Sequence, residues 1–295
     1  MARTGAFSSA IMASGTMVSR ILGFVKTILI TIAIGSGTAM GTIFETANTL
    51  PNLIYVLVAG GIFNAVLVPQ IIKAAKHDDG GSDFISRLIT LASVGIAAVT
   101  LVVVACAWPI ISIMGQEWSD DQRALGLVFA LWCLPQIFFY GFYTIIGQVL
   151  NARGAFGWYM WSPVINNIVA IGALIYFIFA FGRQSAEVPP LHDVSNWTSA
   201  QTLVLAGSAT VGVAIQALIL LIPLQRLGLR LRPKFGWRGI GLGDSAKLAG
   251  WTLATGVVSN LAFFYLTKTA SNIIAHDGQI IPGIQALNYS SICLL

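Results

Sequence analysis

Residues 155–182 read AFGWYMWSPVINNIVAIGALIYFIFAFG, twenty-eight consecutive positions without an acidic or basic side chain. Coiled as an α-helix at about 1.5 Å per residue, this run is about 42 Å long, more than the ~30 Å hydrocarbon core of a bilayer. Inside that core every backbone N–H and C=O needs an internal partner, so a spanning segment is a helix or part of a closed barrel. A barrel strand takes only ~10 residues. The run is therefore a membrane helix.

The same reading extends in both directions, to apolar runs near 7–34, 41–72, 85–114, 122–151, 200–225 and 247–274, with an eighth starting near 280. The first contains Arg20 and Lys26 and is followed by further spans, unlike a cleaved signal peptide. Composition agrees. Of 295 residues, 56% are hydrophobic and 9% charged, against about 25% charged in soluble domains, and the mean hydropathy is +0.82. The expectation is an all-α polytopic membrane protein with about eight transmembrane helices. Residues 1–225 would form a six-helix N-terminal lobe, 226–246 a basic cytoplasmic loop, and 247–295 the first helices of a second, incomplete lobe. The apolar stretch at Leu295 suggests the front part of a longer protein, since a terminal carboxylate in mid-bilayer is costly.

Loop charge sets the expected orientation. With the N-terminus inside, the inner segments hold Arg3, Lys73, Lys76, Arg87, Arg153, Arg226, Arg230, Arg232, Lys234, Arg238 and Lys247. The outer segments hold only Arg123 and Arg183, beside six acidic residues. Such a bias places the N-terminus in the cytoplasm. Six tryptophans, at 108, 118, 158, 161, 197 and 251, fall near span ends and suit an interfacial belt. The net charge of +5 needs no nucleic acid, because the basic loop 226–246 is explained by anionic membrane lipids. Neither long loop reaches the ~50 residues of an independent catalytic domain. Cys106, Cys133 and Cys293 stand far apart, and His77, His192 and His276 lie in loops without ligand-like neighbours. No metal or other cofactor is expected.

The chemistry resides in polar residues at membrane depth. On helix one, Thr16, Ser19, Arg20, Gly23, Lys26, Thr27 and Thr31 fall within a ~140° arc. On helix two, Glu45, Asn48, Thr49, Asn52 and Tyr55 form a stripe beside Pro51, and on helix seven Asn260, Tyr265, Lys268, Ser271 and Asn272 do the same. Charges at this depth normally face a cavity or a partner, so three such faces suggest a common aqueous cavity. Its candidate binding residues are Ser19, Arg20, Lys26, Glu45, Asn48, Asn52, Tyr55 and Lys268. Two cations on one helix, about 9 Å apart along its axis, suit a diphosphate. The plainer alternatives are snorkelling of Lys26 and Lys268 to a surface and simple pairing of Glu45. Glycines within the spans read first as close-packing points, and the prolines at 51, 69, 109, 135, 163 and 223 as bends or breaks.

At these residues a family resemblance emerges. Ser19-Arg20-Ile21-Leu22-Gly23-Phe24-Val25-Lys26, then Leu50-Pro51-Asn52-Leu53, Ala59-Gly60-Gly61-Ile62-Phe63 and Val68-Pro69 resemble the opening of the MurJ/MviN lipid II flippases. Those belong to the multidrug/oligosaccharidyl-lipid/polysaccharide exporter superfamily. Leu150-Asn151, Pro163 and Asn166-Asn167 extend the likeness along the chain. The resemblance implies a multi-pass protein of the bacterial cytoplasmic membrane, a non-enzyme moving lipid II (undecaprenyl-diphosphate-linked disaccharide-pentapeptide) outward by alternating access for cell-wall synthesis. Cell-wall synthesis proteins would be further partners. Arg20 matches the family's arginine, and Lys26 stands where many members have a second one. Thr42, Tyr55, Val56 and Gly60 depart from charged positions of many members, and the 49–55 stretch looks more like the actinobacterial branch. Export of another polyprenyl-linked oligosaccharide or of drugs is the nearest alternative. A membrane-embedded polyprenyl-phosphate enzyme would need an acidic cluster, for which only Asp78, Asp79 and Asp83 stand on the inner side.

Overall fold

The computed structural model describes residues 2–58 except Ser36, 82–183, 194–229 except Ser195, Lys234, Thr255, Val258, 263–273, and Gly283, Ile284, Ala286 and Leu287. The second half of the 41–72 run, most of the 226–246 loop, Asn260 and nearly all of the eighth run lie outside these residues, as do Asp78 and Asp79. Among the described residues there is no strand. The helices are α1 (Ala2–Ile34), α2 (Ala39–Val58), α3 (Ser82–Ala105), α4 (Ala107–Met114), α5 (Asp120–Cys133), α6 (Gln136–Ala152), α7 (Phe156–Phe181), α8 (Ser199–Thr202), α9 (Ser208–Leu218) and α10 (Leu221–Arg226). A π-turn, Leu203–Gly207, joins α8 to α9, and residues 263–271 are helical.

Among the described residues, five stretches are long and apolar enough to cross a membrane: Met12–Ile34, Ser82–Ala105, Asp120–Ala152, Phe156–Phe181 and Ser199–Arg226. With its 20 residues, α2 is also about 30 Å long, but Glu45, Asn48, Thr49 and Asn52 dilute its apolarity. Together they make a multi-pass, all-α membrane protein.

Three runs expected as single helices are interrupted, and in each a proline begins the following piece. Pro109 and Pro223 lie in the first turns of α4 and α10, and Pro135 caps α6. A proline fits where its missing N–H would have had no intrahelical partner. By contrast, Pro51 and Pro163 lie inside α2 and α7 without ending them. At Gly154 and Gly228 the backbone turns left-handed, with φ of 74° and 78°. There Ala155 N–H donates to the Leu150 carbonyl (2.9 Å) and Leu229 N–H to that of Leu224 (3.3 Å). These six-to-one bonds close helix ends in the glycine-requiring Schellman manner. They turn the chain at the end expected to face inside.

Helix α1 packs mainly along α7, α2 against α5 and α6, α3 against α6, and α9 against α6 and α7. Buried side chains form two clusters, one around Phe129, Ile43, Leu50, Met114 and Phe177, the other around Ile85, Leu88, Ile145, Leu150 and Leu224. Phe129 meets Phe44 and Trp197 edge-on, at centroid distances of 5.6 and 5.7 Å. One expectation fails here. Trp118 is no lipid-belt residue: it is only 2% exposed and its indole N–H donates to the Ser271 carbonyl at 2.8 Å. Trp197 is also turned inward, donating to Thr202 Oγ1 at 2.8 Å. Trp108, Trp158 and Trp161 are exposed, and Trp251 lies outside the described residues.

Candidate functional site

The break between α5 and α6 organises the polar interior. Proline at 135 brings no N–H, and the turn closes with Ile137 N–H to Leu134 O (3.0 Å) and Phe138 N–H to Pro135 O (3.2 Å). The carbonyl of Trp132 accepts instead from Thr210 Oγ1 on α9, at 2.6 Å. Thr210 in turn accepts from Gln136 Nε2 (3.0 Å), whose Oε1 takes the Tyr140 hydroxyl (3.2 Å). Broken helices persist in lipid when side chains satisfy the freed backbone in this way. The sequence therefore has a reason to place Gln136 and Tyr140 on one face just after the proline.

A second bridge comes from the adjacent asparagines of α7. Asn167 Nδ2 donates to Ser19 O (2.8 Å) and Ser19 Oγ (3.2 Å), binding α1. Asn166 Nδ2 donates to Gln216 Oε1 (3.0 Å), binding α9. Successive positions on a helix point about 100° apart, so the dipeptide addresses two different neighbours. Glycines bring the backbones together: a side chain at Gly15 would meet Trp161 and the Met160 carbonyl, and one at Gly212 the Asn166 amide.

Between α1, α2, α6, α7 and the π-turn with α9 lies a cavity of about 60 Å³. Lys26, Asn48, Gln136, Tyr140, Asn166 and Ser208 line it with polar groups, and Ile30, Phe44, Leu174, Leu205 and Val213 with apolar ones. At about 10–15 Å³ of such space per water, it has room for a few solvent molecules and none for a sugar-peptide headgroup. Glu45, beside Phe44, is 6% exposed and within electrostatic reach of Lys26.

The structure divides the eight residues singled out by sequence. Lys26 and Asn48 line the cavity, and Glu45 is buried within electrostatic reach of Lys26. Ser19 is engaged by Asn167, and the Tyr55 hydroxyl lies 2.6 Å from Thr144 Oγ1. Arg20 and Asn52 are exposed and Lys268 is half-buried; none of the three lines this cavity. The polar arc of α1 is thus shared between two directions, because α7 packs against the side that carries Ser19. Helix seven's stripe also divides: Tyr265 is 68% exposed, whereas Ser271 is buried against Thr46, Oγ to Oγ 3.1 Å. Gln136, Tyr140, Asn166 and Ser208 were missed as cavity residues. Their only signal was polarity within long apolar runs. Of the acidic cluster, Asp83 pairs with Arg87 (2.8 Å) and Lys234, which leaves it engaged in a surface ion-pair group.

Comparison with known proteins accords with this architecture. A family model described as "Lipid II flippase MurJ" matches residues 30–294. "Probable lipid II flippase MurJ" of Haemophilus influenzae is 27% identical over 247 residues, covering 79% of this chain and 44% of the relative. The like-named protein of Vibrio cholerae is 26% identical over 246 residues, with 80% and 43% covered. The chain therefore spans somewhat under half the length of these relatives. A solved structure titled "Lipid II flippase MurJ, inward closed conformation" superimposes with a TM-score of 0.68 at 20% identity, covering 97% of this chain and 54% of that one, a likeness of fold. A match through almost the whole length, on a bundle of interrupted apolar helices around a small polar cavity, places the chain in the lipid II flippase MurJ family.

Proposed function

We propose that the chain is the N-terminal lobe and the start of the second lobe of a transporter that carries lipid II across the bacterial cytoplasmic membrane by alternating access. The carrying observation is Lys26, a half-buried cation that lines a partly polar cavity between apolar helices. A cation buried among helices is expensive and marks a pathway for an opposite charge, and the diphosphate of a polyprenyl-linked sugar supplies one. At about 60 Å³ the cavity must widen to admit a headgroup. Arg20 joins the site as the lobes rearrange, with Glu45, Asn48, Asn52, Tyr55, Ser19 and Lys268 supplying further polar contacts. The domain division is 1–225, 226–246 and 247–295.

The test is to express the full-length gene product in cells depleted of their own flippase and follow lipid II reaching the outer leaflet. Restored export with the diphosphate intact is the expected result. Cleavage of the polyprenyl diphosphate, or no export at a normal membrane level, overturns the reading.

The proposed topology puts the N-terminus in the cytoplasm, on the bias of basic residues to one set of loops. Cysteines introduced at Asp120 and Asn196, with the native cysteines replaced, are expected to react with an impermeant maleimide added outside. Cysteines at Ala152 and Gln225 are expected to react only after permeabilisation. The reverse pattern inverts the topology.

A further inference from the structure

Helices α1 and α2 form a hairpin whose register is fixed at its tip. Thr38 Oγ1 donates to the Ile34 carbonyl at the end of α1 (2.7 Å) and accepts from Gly41 N–H in the first turn of α2 (3.0 Å). From that tip Lys26 lies eight residues back from Ile34 and Glu45 six residues on from Ala39, depths of about 12 and 9 Å along the two helices. The hairpin thus sets one cation and one carboxylate at similar levels on adjacent helices. Ile34, Thr38, Thr42 and Thr46 are buried, so this is the enclosed end of the hairpin, where solvent screens charges weakly.

Lys26 lines the cavity together with Phe44 and Asn48 of α2, and Glu45 is not among the residues that line it. Its position is about 60° round α2 from Asn48 and about 100° from Phe44, beside the cavity-lining strip, and it is 6% exposed. It is within electrostatic reach of Lys26 and of the Cys133 thiol on α5, which brings no positive charge. A buried carboxylate so placed lowers the attraction of the site for any anion. It also relieves the cost of a lysine in an apolar bundle when no anion is present, since a charge left uncompensated there is the expensive case. The two effects have one origin and act on opposite halves of a transport cycle.

We propose that Glu45 is an internal counter-ion of Lys26: it stands in for the ligand's anion while the site is empty and loosens the hold on a polyprenyl diphosphate once bound, so that the headgroup can leave. The proposal rests on the transport reading above. A site that passes its ligand on must bind it well enough to load and weakly enough to unload. Lys26 supplies the first property and Glu45 the second, acting through the lysine and not on the phosphates.

The experiment uses the purified full-length protein in two arms. In the first, ligand-free melting is compared for wild type, Lys26→Gln, Glu45→Gln and the double variant. Each single change is expected to lower the melting temperature by a few degrees, and the double change by clearly less than the sum, as coupled charges require. In the second, lipid II binding and export are measured in proteoliposomes at limiting and saturating lipid II. Glu45→Gln is expected to bind lipid II about tenfold more tightly and to export it about tenfold more slowly at saturation, the effect of removing one opposing charge several ångströms away. Glu45→Asp, which keeps the charge, should move both quantities back toward wild type. In a Lys26→Gln background, Glu45→Gln should change binding by less than about twofold. A merely structural glutamate would slow export without tightening binding. Additive melting shifts, binding by Glu45→Gln no tighter than wild type, or tightening that persists without Lys26 overturns the counter-ion. Coupled melting in a wild-type protein that neither binds nor exports lipid II keeps the counter-ion and removes the substrate reading instead.

Discussion

Under the transport proposed above, Lys26→Ala in the full-length protein is expected to lower lipid II export tenfold to a hundredfold while the protein remains in the membrane at a near-normal level. The reason is the lost donor: a hydrogen bond to a charged group is worth about 1.5–3 kcal/mol, or roughly one to two powers of ten in affinity. Lys26→Arg keeps the charge and adds a planar fork, so its export should stay close to wild type. Arg20→Ala is expected to lose export as well, and Arg20→Lys to retain part of it. Because Arg20 is exposed and does not line the closed cavity, its effect depends on the open state, whereas Lys26 is already in place. Transport rates at saturating and limiting substrate separate a binding loss from a general one. A Lys26→Ala protein indistinguishable from wild type would mean that the ammonium only snorkels.

Gly147→Ala is expected to destabilise the bundle by about 1–3 kcal/mol, and Gly147→Val by more, through overpacking. A methyl at 147 would lie 2.1 Å from Tyr159 Cε2 and 2.3 Å from Cδ2. The ring has little freedom to retreat, because it stacks on Tyr143 at a centroid distance of 4.8 Å. Tyr143 in turn donates its hydroxyl to the Tyr159 carbonyl at 3.1 Å. Relief requires α6 and α7 to move apart, and lipid-embedded helices depend on such close packing. Gly95 is the control. Nothing lies within 4 Å of a Cβ built there, so Gly95→Ala should be neutral or slightly stabilising by helix propensity. Melting of the purified protein in detergent distinguishes them, with equal shifts for Gly147→Ala and Gly95→Ala contradicting the packing argument.

Hydrophobic run lengths were enough to read the spans that fall among the described residues, because the bilayer imposes one length and one hydrogen-bonding rule on every segment. The interruptions were less legible. Proline reports that an N–H is missing, but Pro51 and Pro163 continue their helices whereas Pro109, Pro135 and Pro223 lie at helix starts; the difference depends on which neighbour supplies the replacement donor. Of the site, Lys26 and Asn48 were readable because a charge or amide at depth is expensive. Gln136 and Tyr140 were not, since Gln136 binds Thr210, the residue 74 positions away in sequence that answers the exposed Trp132 carbonyl, and Tyr140 binds Gln136. The angular arc on α1 was drawn correctly as geometry, yet periodicity carries no information about which part of an arc the next helix will cover. Asn167 takes Ser19 out of one side of it.

The π-turn at Leu203–Gly207 has a consequence for lineage. Such a turn holds one residue more than the α-helical turn it replaces, so it behaves as a single-residue insertion carried inside a membrane span. Removing one residue between 203 and 207 would restore an unbroken α-helix with its two ends on their present faces, whereas the same deletion elsewhere in the span would rotate one end by about 100° relative to the other. The buried Gln201 and Thr202 would keep their present neighbours. Family members that keep the bulge and members that lack it should therefore differ in length by one at this point, with the gap falling within hydrophobic sequence instead of a loop.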